Sequence, residues 1–343
     1  MAIRIYNNKV MIGSYTLQEG PGGLVFDGYI RAEKFVREGT FQGTVAGFAG
    51  AGWGGPAATF VNVIDKFSFA FDQNATDHGD LTISRYGNAG LSSDLHGYTA
   101  GGYDPGSVYS NTIDKFAFAT NSNAIDVGDL TQTIYGGGGN SSKQIAQGFS
   151  SGSSAPTSSN IIEKIPFATD TNSFDVGDLT VARGLQAGQT SNTHAYNSGG
   201  EPSVTSPGSN VVDKFPFAAT GYILATDVGD LTLSRGRTCG QSSLTHGYTS
   251  GGSTVWPPGG PFSAVIDKFP FASDSNATSV GNLSDGRAMG AGASSVVSGY
   301  TAGGSPTLAV VTTIDKFPFA TDASAASVGA LTAARSHCAG FQI

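Results

Sequence analysis

Apolar and polar residues alternate along this chain in short segments, and the segments recur. In Val211-Val212-Asp213-Lys214-Phe215-Pro216-Phe217, strand geometry puts Asp213, Phe215 and Phe217 on one face and Val212, Lys214 and Pro216 on the other. The 3.6-residue spacing of an amphipathic helix appears nowhere. The acid–lysine pair of that segment returns at Asp65-Lys66, Asp114-Lys115, Glu163-Lys164, Asp213-Lys214, Asp267-Lys268 and Asp315-Lys316, at intervals of 49, 49, 50, 54 and 48 residues. A period near 50 marks a modular array, in which each unit buries its faces against its neighbours.

Within one unit the pattern predicts four short strands. In the unit ending at Arg235, strand b is His194-Ala195-Tyr196-Asn197-Ser198-Gly199-Gly200 and strand c is the segment from Val211 to Phe217. Strand d is expected through Leu231 to Arg235, and strand a follows as Thr238-Cys239-Gly240-Gln241-Ser242. Other copies of strand b are His96-Gly97-Tyr98-Thr99-Ala100-Gly101-Gly102 and His246-Gly247-Tyr248-Thr249-Ser250-Gly251-Gly252. Four antiparallel strands repeated every ~50 residues predict an all-β propeller. The Gly-Gly ending strand b, the strand after it and the Leu-x-x-x-Arg of strand d resemble the kelch repeat over residues ~40–343. The tryptophan usual in kelch repeats is replaced here by Val228-Gly229-Asp230, so the likeness is kelch-like. The wording Asp-Lys-Phe-Pro-Phe-Ala with Asp-Val-Gly-Asp-Leu-Thr resembles repeats in virion and tail-fibre proteins of marine bacteriophages of the cyanophage type.

Strand a is read seven times, from Gly39-Thr40-Phe41-Gln42 to Ala339-Gly340-Phe341-Gln342, and 343 residues divide into seven lengths of 49. Seven blades are therefore expected. Residues 1–38 would supply strands at 3–6, 9–17 and 24–31 to a first blade closed by the C-terminal strand, and the repeats would fill 39–343. The alternative is six blades plus an N-terminal anchor; residues 26–35 resemble segments of phage fibre shafts.

Composition narrows the function. Charged residues are 13 % and the net charge is −8, which argues against nucleic acid as partner, since phosphate contacts need clustered Lys and Arg. No stretch reaches the ~18 apolar residues of a membrane helix, so no membrane insertion is expected. Met1-Ala2-Ile3-Arg4-Ile5-Tyr6 lacks the apolar run of a signal peptide, so synthesis in a host cytoplasm is expected. Cys239 and Cys338 are the two cysteines, read as small buried residues.

Repeated chemistry reads as scaffold. The acids Asp65, Asp114, Glu163, Asp213, Asp267 and Asp315 are expected to pair between blades with Arg85, Arg183, Arg235, Arg287 and Arg335. Ile134 stands at the missing arginine, so Asp114 is expected to find another donor or more exposure. The c–d turns Asp170-Thr171-Asn172 with Asp175 and Asp178, and Asp72-Gln73-Asn74 with Asp77 and Asp80, space oxygens like a calcium loop. Asx turns account for the same residues without metal, and no cofactor is expected. His96, His194 and His246 repeat around the ring instead of converging, so no metal site is assigned. Without a Gly-x-Ser-x-Gly or a convergent acid pair, the chain is read as no enzyme.

The repeat breaks in the b–c loops, where Ser253-Thr254-Val255-Trp256-Pro257-Pro258-Gly259-Gly260-Pro261-Phe262 is longest. Trp256, with Tyr103 and Tyr109 in another b–c loop, are the candidate ligand-binding residues, as aromatic rings in stiff loops suit sugar stacking or protein contact. The phage resemblance implies a virion location, other virion proteins and further copies of itself as partners, and a host-surface glycan or protein as ligand. A cellular kelch-type interaction scaffold is the alternative, and a glycan-active propeller enzyme a third reading.

Overall fold

The computed structural model describes residues 3–6, 9–12, 15–17, 41–54, 59–203, 208–254, 262–307 and 309–343. The chain divides into Met1–Arg37 and Glu38–Ile343. In the first unit Ile3–Tyr6, Lys9–Ile12 and Tyr15–Leu17 form an antiparallel three-stranded meander. The strand expected at 24–31 and the shaft-like segment 26–35 lie outside the described residues.

The second unit is a propeller of six antiparallel blades. In blade 4, strand a (Ala187–Thr190) pairs with b (His194–Ser198), b with c (Val211–Pro216) and c with d (Thr226–Asp230). Strand d thus lies one step earlier than expected: Leu231 to Arg235 is the link to the next blade. Blade 1 consists of Ala46–Gly54, Thr59–Ser68 and Thr76–Asp80 as strands b to d, with the C-terminal Ala339–Gln342 as its strand a. The expectation of seven blades is therefore corrected to six. The segment around Phe41 mimics the Phe-Gln of the true strand a but makes only a single bridge, at Gly43 to Ser295.

Three hydrogen-bonded or close-packed rings around the axis admit six blades and no more. On one level, strand-a amides donate to the next blade's side chain from Ser92 through Ser141, Thr190, Ser242, Ser294 and Gln342 back to Ser92, at 2.8–3.4 Å. Above it, Gly90, Gly139, Gly188, Gly240, Gly292 and Gly340 touch in a cycle, and a Cβ on any of them would lie 2.0–2.5 Å from the neighbour's carbonyl oxygen. Above that, the link residues Gly87, Gly136, Leu185, Arg237, Met289 and His337 close a cycle of N–H to C=O bonds at 2.5–3.1 Å.

The core lies between blades. Strand b of four blades lays a tyrosine ring on a phenylalanine ring of the next blade: Tyr98 on Phe167, Tyr196 on Phe271, Tyr248 on Phe319 and Tyr300 on Phe69, with centroids 4.6–4.9 Å apart. Each strand-c carboxylate is fully buried and held by the preceding blade. Arg85, Arg183, Arg235, Arg287 and Arg335 reach Asp114, Asp213, Asp267, Asp315 and Asp65 at 2.9–3.2 Å. The arginine lost at Ile134 therefore belongs to Glu163, not to Asp114 as expected. Glu163 is buried without a guanidinium and instead accepts from Thr131 N at 2.8 Å and from the Ser173 hydroxyl. Its extra methylene carries the carboxylate toward Ser173, on its own blade.

The oxygens read as a calcium loop latch one blade to another. Asp170 and Asp72 receive Lys115 and Lys316 at 2.6 and 2.8 Å, and Asn172 and Asn74 accept from Asp129 N and Ala330 N. Asp77 and Asp175 accept from the amides of Gly79 and Gly177, and Asp178 from the Tyr222 hydroxyl.

Candidate functional site

Strand direction places the b–c loops and the d–a links on one face of the disc, here the loop face. On the opposite face Phe41 lies buried at the axis among the six strand-a ends. Gln42 Nε2 beside it donates to Ser242 O and Ser295 O at 3.1 and 2.9 Å.

The loop face departs from sixfold symmetry. The residue after the paired glycines or their equivalent is Trp53, Tyr103, Ser153, Glu201, Ser253 or Ser305 around the ring. The facing link position is Ser336, Tyr86, Tyr135, Gly184, Gly236 or Ala288. Blades 1 to 3 thus carry large aromatic side chains where blades 4 to 6 carry small or polar ones. Tyr103 packs against Tyr109 and Tyr86 with centroids 5.0 and 5.7 Å apart, and Tyr86 against Phe60 and Tyr135 at 5.2 and 5.6 Å. Tyr109 meets Tyr135 at 6.3 Å. All five rings are half-buried. Burial raises the phenol pKa values of Tyr86 and Tyr135, so both remain protonated donors at neutral pH. None of the four tyrosine hydroxyls has a hydrogen-bond partner among the described residues.

The aromatic sector runs inward to the axis, where Tyr86 lies 5.0 Å from the His337 ring. A cavity of about 120 Å³ opens there, with Leu185, Arg237, Met289 and His337 around its mouth. These four are left-handed, at φ 56 to 64°. Glycine holds the other two places of that ring because Tyr135 and Leu185 lean over them: a Cβ on Gly87 would lie 2.2 Å from the Tyr135 ring, and one on Gly136 2.7 Å from the Leu185 side chain. Arg237 Nε donates to Glu201 Oε1 at 2.7 Å.

Of the residues singled out in the sequence, Tyr103 and Tyr109 sit together in this sector. Trp256 lies outside the described residues. The Asp–Arg positions are interior scaffold. His96, His194 and His246 stand at strand-b starts on the opposite face; His194 and His246 share hydrogen bonds with Thr193 and Thr245 at 2.8 Å, and burial with a nearby lysine lowers the pKa of all three. Sequence reasoning missed Trp53, Phe60, Tyr86, Tyr135 and His337. A signal for Tyr86 and Tyr135 was present: the same place holds Gly184, Gly236, Ala288 and Ser336 in other units.

A six-bladed β-propeller with a half-buried aromatic sector on its loop face is a binding or interaction scaffold. No protein-family model and no curated protein matches this chain.

Proposed function

We propose that this chain is a non-enzymatic virion protein of a bacteriophage, a fibre or surface appendage that presents its propeller to a host-surface glycan. The observation that carries the binding reading is the Tyr86-Tyr103-Tyr109-Tyr135 sector. It gathers aromatic area at low conformational cost, with hydroxyls that have no hydrogen-bond partner among the described residues beside apolar faces. Phe41, the first described residue of the propeller unit, lies on the axis of the face opposite the loops, so the aromatic sector and this residue are on different faces of the disc. The phage part of the reading is supported by the resemblance of the Asp-Lys-Phe-Pro-Phe repeat to virion repeats.

The test is a bacterial-polysaccharide array probed with the intact chain and with Tyr103→Ala, Tyr109→Ala and Trp256→Ala. Specific binding, reduced at least about tenfold in the tyrosine variants, supports the glycan reading. Binding to whole cells that protease treatment of the cells abolishes would redirect it to a protein ligand. Antibody against the chain should label purified phage particles; cells that carry the protein without any particle would refute the virion role.

A further inference from the structure

The axial cavity on the loop face has its own chemistry, distinct from the tyrosines beside it. At about 120 Å³ it is far smaller than the ~300 Å³ of an ordinary ligand cleft, so it admits a terminal group and not a chain. Its titratable groups carry no net charge. Arg237 is bonded to Glu201 through both Nε and Nη2, at 2.7 and 3.3 Å. Burial holds His337 down to about 3 and pushes the Cys239 and Cys338 thiols up to about 12 and 11. A carboxylate or phosphate entering here would meet a guanidinium already neutralised, and would leave its own charge desolvated.

The wall nevertheless has unused polar capacity. Asn88, Gln186 and Thr238 line it at 7, 5 and 9 % exposure. The Asn88 amide oxygen and nitrogen, Gln186 Oε1 and Thr238 Oγ1 have no protein partner among the described residues and less than 1 Å² of exposed surface each, so they lie just behind the wall. Each such group costs ~1–3 kcal/mol when left unmade, and turning these side chains into the well to meet a hydroxyl-bearing guest, or water ordered with it, would relieve that cost. Leu185 and Met289 supply apolar surface at the same mouth. Both are left-handed at φ 56 and 64°, where glycine would be free of strain.

We propose that this axial well receives, end-on, one uncharged sugar ring at the terminus of a glycan whose remaining units lie across Tyr86, Tyr103, Tyr109 and Tyr135. The inference rests on the glycan reading above and adds the polarity of binding and the charge class of the terminal unit.

Methionine is the natural reporter. The chain has three, and Met289 alone lies in the propeller. Protein carrying ¹³C-methyl methionine would be titrated with the methyl glycosides of glucose, galactose and mannose, and with glucuronic acid and N-acetylneuraminic acid, with Met289→Leu assigning the signal. The expected result is a saturable shift of Met289 with at least one neutral glycoside, with both acids at least about tenfold weaker. Leu185→Gly, which relieves a left-handed residue without touching the tyrosines, should weaken the neutral glycoside by a similar factor. A Met289 signal unmoved by every neutral glycoside, while polysaccharide binding still depends on Tyr103, would overturn the well and leave the tyrosine sector standing. Equal shifts with neutral and acidic sugars would overturn the charge class. Loss of both Met289 shifts and polysaccharide binding would remove the glycan reading itself.

Discussion

The Gln342 amide donates to Ser92 Oγ at 3.1 Å, and Gln342 Oε1 accepts from Ser294 N at 2.8 Å. One residue thereby joins blade 1 to blade 2 and to blade 6. Its strand, Ala339–Gln342, pairs with Ala46–Gly54 of blade 1, as does the short strand Arg335–Ser336, and Arg335 brings the matching ion pair to Asp65 at 3.0 Å.

Removing residues 337–343 would therefore open the ring instead of trimming an end. Five blades would remain intact, while blade 1 would lose strand a and all three stacked rings would lose a member: Gln342, Gly340 and His337. The expected outcome is loss of the single cooperative thermal transition, with exposed apolar surface detected by dye binding. Deleting residues 1–38 should leave that transition in place, because among the described residues no strand of the six blades comes from them. A C-terminal truncation that melts like the intact chain would refute closure by this strand.

The buried acids offer a sharper contrast. Asp213→Asn leaves Arg183 fully buried without its counter-charge and should cost ~3–5 kcal/mol in denaturant unfolding. Glu163→Gln removes a buried charge that has no guanidinium and keeps an oxygen to accept from Thr131 N, so it should change stability by less than ~1 kcal/mol or raise it. Equal losses at the two sites would mean that the arginine is not what holds these carboxylates.

The fold was legible because period and alternation are one-dimensional signals. The 49-residue spacing of Asp65, Asp114 and Glu163 and the Val-x-Asp-x-Phe face pattern are properties of the string itself. What the string lacks is direction around the ring. It gives the arginine and the acid of a unit but not which neighbour each reaches, so Ile134 was matched to Asp114 when the geometry pairs it with Glu163. Blade count failed for a related reason. Phe41-Gln42 and Phe341-Gln342 look alike, and only three-dimensional pairing shows that one crosses the axis while the other is a strand. The aromatic sector was half legible. Tyr103 and Tyr109 stand in a visibly irregular loop, whereas Tyr86 and Tyr135 sit inside the regular link and are exposed as exceptions only when six units are aligned.

The glycine cycle predicts a steep positional effect. A Cβ at residue 188 would lie 2.1 Å from Gly139 O, backbone that is itself locked in the ring, so Gly188→Ala should cost more than ~3 kcal/mol or abolish folding. A Cβ at Gly221 meets nothing within 4 Å, and Gly221→Ala should alter stability by no more than ~0.5 kcal/mol. Thermal melts of the two variants decide it; tolerance at 188 would mean the strands at the axis can move apart.

His337 links the axial well to acid stability. Burial, with the Arg237 charge beside it, lowers its pKa from 6.5 to about 3. Between those values the unfolded chain binds a proton that the folded chain refuses, so stability falls as pH drops from about 6.5 toward 3 and is unaffected by this group above 6.5. Asparagine tolerates the left-handed backbone at φ 57° and cannot take up the proton. His337→Asn should therefore match the intact chain's melting behaviour at pH 7 and lose less stability at pH 4.5. With the half-buried ring partly screened by solvent, the difference should be about 1 kcal/mol. His96, His194 and His246 are lowered in the same direction and remain in both proteins, so the comparison isolates His337. Parallel pH profiles for the two proteins would mean that the ring is fully hydrated, and an uncharged axial well would then lose one of its supports.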